Sequence, residues 1–101
     1  MSDIFDVKDR AIAAAKASLG TNWNTVANSA VPQIEALLQL TWEIEKGKGS
    51  FRSGEYESLL ATQKSTFVAV LATYEAITEE IAWQALNAAF AVILNGVRKL
   101  L

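Results

Sequence analysis

From Tyr56 onward, apolar side chains return at alternating steps of four and three: Tyr56, Leu60, Phe67, Val70, Tyr74, Ile77 and Ile81, with Gln63 as the one polar member. That period keeps a single stripe on one face of an α-helix and does not match the two-residue alternation of a half-buried strand. No other segment combines such alternation with β-branched residues and flanking turn signals, so the chain is expected to be all-α. Past Ile81 the stripe widens. Trp83, Leu86, Phe90 and Ile93, interleaved with alanines, make residues 81–97 a charge-free run that is apolar on nearly every face. No proline interrupts residues 54–95, and Gly96 with Arg98 and Lys99 has the composition of a helix C-terminus. The second half therefore reads as one long helix over residues 54–98, which at about 1.5 Å per residue would span about 65 Å.

The strongest break lies just before it. Three of the five glycines fall at Gly47, Gly49 and Gly54, preceded by Lys46 and interleaved with Lys48, Ser50, Phe51 and Arg52. Glycines stop helices and lysines suit the negative end of a helix dipole, so a turn is expected over residues 47–53. Ser53 is placed to cap the next helix, with Glu55 and Glu57 in its first turn. Phe51 is an unusual choice for a purely solvated turn, which makes Lys48, Phe51 and Arg52 a candidate contact cluster for an acidic partner or anionic headgroups.

The first helical half, residues 3–46, carries mixed signals. Gly20, Asn22, Asn24, Asn28, Ser29 and Pro32 all lower helix propensity or invite a cap. Yet Ile12, Ala15, Leu19, Trp23, Val26, Ala30, Ile34, Leu37 and Thr41 repeat in steps of three, four and four, an eleven-residue period that a nearly straight helix can present. Two readings follow: one kinked helix over residues 3–46, or two helices over 3–19 and 31–46 with a break near 20–32.

A chain of 101 residues is one domain by length, residues 1–101. Hydrophobic residues make up 51% of it and charged residues 20%, more apolar surface than a slender hairpin can cover by itself. The expected architecture is an elongated helical hairpin or three-helix arrangement with coiled-coil-like packing, completing its core by oligomerisation. Tyr56, Leu60, Phe67, Val70, Tyr74, Ile77, Ile81, Trp83, Phe90 and Ile93 are the expected interface.

Several kinds of chemistry lose their simplest machinery at the level of composition. Histidine and cysteine are both absent, which removes the usual general base near neutral pH, Ser-His and Cys-His arrangements, thiolate nucleophiles and disulfides. Glu35, Glu43, Glu75 and Glu79 on long helices superficially match a di-iron carboxylate bundle, but that site requires Glu-x-x-His motifs. Lys64 beside Ser65 is a minimal Ser-Lys juxtaposition that any helical protein can contain. Gly47-Lys48-Gly49-Ser50 lacks the spacing of a phosphate loop and the strand that precedes one. Trp23, Trp42 and Trp83 are too widely spaced to define an aromatic cage and read as packing anchors. No catalytic, metal-binding or cofactor-binding residue is assigned, and no cofactor is expected.

A formal net charge of -2 gives no long-range attraction to nucleic acid. The acidic start, Met1-Ser2-Asp3-Ile4-Phe5-Asp6, lacks the basic and apolar runs of a secretory signal, so a cytoplasmic location is expected. The reading that fits these features is a non-enzymatic helical scaffold, adaptor or structural subunit acting through self-association or a partner helix. The alternative is a small membrane-active or pore-forming protein inserting residues 81–101. Seventeen uncharged residues fall short of the roughly 20 a spanning helix needs. A weaker third reading is a small-molecule binder or enzyme using an interhelical pocket lined by Tyr56, Tyr74 and the tryptophans.

Overall fold

Asp3 starts the first helix: in an extended conformation, its carboxylate accepts the backbone N–H of Asp6 at 2.9 Å. The computed structural model describes residues 3–48 and 53–101. Among them are four α-helices: α1 (Ile4–Leu19), α2 (Trp23–Lys46), α3 (Ser53–Ala72) and α4 (Glu79–Leu100). The all-α expectation holds for the described residues, which contain no strand. The elongated hairpin and three-helix layouts give way to a four-helix arrangement whose principal extents are 41 × 31 × 18 Å, too short for a helix of 65 Å.

The first half reverses at Gly20. This residue is the only one described with positive φ, at φ 59° and ψ −129°, and its N–H closes α1 onto the Lys16 carbonyl. A short 3-10 turn, Gly20–Asn22, then leads directly into α2. Reversal brings Asp3, Ile4, Phe5 and Lys8 beside Glu35, Leu38, Gln39, Trp42 and Glu43, which a continuous kinked helix would hold far apart. The second helix starts at Trp23 rather than 31 and runs through Pro32. Pro32 is exposed, so the carbonyl of Asn28, deprived of its helical donor, lies on the side where water can reach it.

The second half also divides. α3 ends at Ala72, and the helix expected over 54–98 is interrupted by residues 73–78. Thr73 turns its hydroxyl back onto the Val70 carbonyl at 2.7 Å, and Tyr74 N–H bonds Leu71 at 3.1 Å, three residues back instead of four. Thr78 then caps α4, its hydroxyl accepting the Ile81 N–H at 3.1 Å, with Glu79 and Glu80 at the positive end of the new helix. The Thr-Glu-Glu signal was present in the sequence, but the apolar seam running across it suggested continuity.

The four helices run alternately up and down. Val7 near the start of α1 meets Gly96 near the end of α4, and Arg98 of α4 donates to Glu45 near the end of α2 at 3.2 Å. Glu45, only 10% exposed, also pairs with Lys48 at 3.6 Å. Gln63 of α3 donates to Gln33 of α2, and the hydroxyls of Ser29 and Tyr74 lie 2.6 Å apart. Gln33 and Ser29 are one turn apart on α2, so these two polar pairs fix the register of α3 and its following turn.

α1 packs most extensively on α4 and α2 on α3, while α4 also touches α2 and α3. The core unites Val7, Ala11, Ala15 and Leu19 of α1 with Val26, Ala30, Ile34 and Leu37 of α2, Phe67 and Leu71 of α3, and Ala85, Leu86, Ala89, Ile93 and Val97 of α4. Eight of the nine residues in the eleven-residue stripe are buried, Ile12 alone being half-buried. Thr41 is the one buried polar residue of that core layer, and its hydroxyl donates to the Leu37 carbonyl at 2.7 Å.

Gly96, expected to end the helix, sits inside α4 and serves close approach. A Cβ placed there would fall 2.7 and 2.9 Å from the two γ-methyls of Val7. Two stability experiments follow. Gly20→Ala is expected to lower unfolding stability by about 1–3 kcal/mol, because a side chain is strained at this positive φ, as a shift in urea midpoint would show. Gly96→Ala is expected to cost about 1–3 kcal/mol of overpacking against a helix-propensity gain of about 1, and Val7→Ala in the same chain should remove the clash. A double-mutant cycle should therefore give a favourable coupling of about 1 kcal/mol or more; zero coupling would refute the contact.

Candidate functional site

α1 touches α2 less extensively than it touches α4. Between α1 and α2 opens a trough of about 650 Å³. One wall comes from Asp3, Ile4, Phe5 and Lys8 in the first turns of α1, the other from Glu35, Leu38, Gln39, Trp42 and Glu43 of α2, and Leu100 contributes from the end of α4. Each wall follows from helix periodicity. Ile4 and Lys8 are one turn apart, as are Leu38 and Trp42, and Gln39 and Glu43.

The trough is lined by both apolar and charged side chains. Leu38 is buried, Ile4, Trp42 and Leu100 are half-buried, and Phe5 is 67% exposed, the most exposed large apolar side chain among the described residues. The Lys8 ammonium lies 5.5 Å from the Phe5 ring centroid, near the outer limit for a cation–π contact. Gln39 donates to Glu43 at 3.2 Å, and Glu43 pairs loosely with Lys46 at 3.8 Å.

The expected interface residues are used mostly within the chain. Phe67, Ile77 and Ile93 are buried in the core, with 0%, 3% and 0% exposure, so in this fold they are unavailable to a partner. Leu60, Val70, Tyr74 and Ile81 are half-buried and pack against that core. Tyr56 and Phe90 are also half-buried, and Lys64 covers Phe90 with its ammonium 3.8 Å from the ring centroid. That contact also occupies the lysine of the Lys64-Ser65 juxtaposition. Only Trp83 is exposed, at 40%, beside a shallow cleft of about 220 Å³ lined by Ser65, Val68, Ala69, Ala72 and Glu79.

Of the expected contact cluster, only Lys48 lies among the described residues. Lys48 pairs with Glu45, while Phe51 and Arg52 lie outside the described residues, as does the capping role expected of Ser53. The three tryptophans do not converge: Trp23 is in the core, Trp42 lines the α1–α2 trough and Trp83 edges the α3–α4 cleft. The trough itself was missed because its walls are brought together by the reversal at Gly20. The available signal was local: Phe5 lies outside the buried 7, 11, 15 positions of its own helix.

No known protein family matches the chain, and comparisons with characterised proteins and with solved structures find no match either.

The two walls should respond differently to substitution. Phe5→Ser is expected to leave unfolding stability within about 0.5 kcal/mol, as for a surface position, while Leu38→Ala should cost about 2–4 kcal/mol. Chemical denaturation of the two variants measures both.

Proposed function

We propose that this protein is a non-enzymatic helical adaptor that binds a partner helix in the α1–α2 trough. The observation that carries the reading is that an exposed Phe5 lines the same trough as the apolar side chains of Ile4, Leu38, Trp42 and Leu100. An apolar groove between helices accepts the apolar face of an amphipathic helix, with large aromatic side chains as anchors. The volume alone would also suit a small ligand, but such sites enclose most of their ligand. Here one wall residue is two-thirds exposed, so the surface suits an extended partner better.

Of the seam, Phe67 and Ile77 are buried in the chain's own core and Leu60, Val70, Tyr74 and Ile81 are half-buried against it, which leaves less of that stripe for self-assembly. The membrane alternative asks α4 to leave α1 and take its buried Ala85, Leu86, Ala89, Ile93 and Val97 into lipid. No helix among the described residues is long and apolar enough to cross a membrane.

Titration of isotope-labelled protein with amphipathic helical peptides bearing neutral, acidic or basic polar faces tests the adaptor reading by NMR. At least one peptide should shift amide signals concentrated at residues 3–8 and 35–43. Absence of shifts with every peptide, or shifts centred elsewhere, would overturn it.

A further inference from the structure

Resting on that adaptor reading, we infer that the trough selects a basic amphipathic helix about two turns long at its point of contact. The charged residues lining it are three carboxylates, Asp3, Glu35 and Glu43, against one ammonium, Lys8. Asp3 caps α1 and Glu43 is partly compensated by Lys46, whereas Glu35 has neither kind of partner among the described hydrogen bonds and ion pairs. Leu100, the last residue of α4, places the negative end of that helix's dipole beside the same trough. An apolar lining with excess negative charge favours an apolar stripe flanked by lysine or arginine, since opposite charges at an interface edge speed encounter and select against like-charged partners.

The same charge balance argues against a second copy of the chain. A symmetric dimer across the trough would bring two sets of these carboxylates together with one lysine from each side. The length follows from the α2 wall. Residues 35–43 advance about 12 Å along their axis, which an antiparallel or parallel partner helix matches with about eight residues. The partner's apolar anchors are therefore expected at i, i+4 and i+7, reaching toward Phe5, Leu38 and Trp42.

A fluorescently labelled helical peptide with leucine at those three positions and lysine on its flanks provides the probe, with a glutamate-flanked peptide of the same apolar face as its counterpart. Anisotropy titration against the full chain should show the lysine peptide binding about tenfold or more tightly than the glutamate peptide, with the difference shrinking as salt is raised. Glu35→Lys, at an exposed position whose fold can be checked by circular dichroism, should reverse the preference. Equal binding of both peptides at the trough would overturn the charge selection while leaving the adaptor reading intact; binding of neither would overturn both. Sedimentation showing a dimer that Phe5→Ser dissociates would overturn the basic-helix assignment in favour of a second copy.

Discussion

The close packing of α1 on α4 is the contact on which the rest of the arrangement depends. Gly96 lets the α4 backbone come within reach of the Val7 methyls, and alanines dominate the buried positions farther along, with Ala11 and Ala15 on α1 and Ala82, Ala85 and Ala89 on α4. Small side chains let helices approach near the short end of the usual interaxial range of about 8–10 Å. Close approach gives α4 a central place: it packs on α1 while also touching α2 and α3. The long run of alanines, which in isolation is ambiguous between membrane and protein surroundings, is a helix–helix contact within one chain.

α1 touches α2 less extensively than it touches α4, and a trough lies between α1 and α2 where α1 begins. Its apolar lining comes from all three helices: Ile4 and Phe5 of α1, Leu38 and Trp42 of α2, and Leu100 of α4. Its carboxylates come from residues at exposed or half-exposed positions, and Lys8 only partly offsets them.

Polar groups tie down the remaining degrees of freedom. Gln33 with Gln63 and Ser29 with Tyr74 hold α3 in register on α2, while Glu45 joins Arg98 and Lys48 at the far end. Because the Arg98 and Lys48 partners of Glu45 are solvent-exposed, pairs of this kind add little stability, typically about 0–1 kcal/mol each, and act on alignment more than on the folding free energy. Gln63, the polar interruption in an otherwise apolar seam, has a clear physical reason: its amide finds another amide across the helix pair.

Helical class and the inward stripe were legible in the residues themselves. The eleven-residue stripe from Ile12 to Thr41 identified core positions in both α1 and α2 because each helix turns its apolar face inward, whichever way the chain runs. The same property concealed the reversal at Gly20 and the interruption at residues 73–78: a stripe reports which side of a helix is buried, and it is silent about whether the next helix continues or folds back. Thr78, Glu79 and Glu80 held the local start signal, but the seam from Tyr56 to Ile81 overrode it in the reading. Sequence by itself determined an all-helical chain and most of its buried face, through local periodicity and hydrophobicity. Tertiary structure alone decided that the chain divides into four helices, that α3 buries Val68 and Leu71 beside Phe67 of the seam, and that Phe5 and Trp42 line one trough, because the proximity of residues far apart in the chain depends on how the turns reverse.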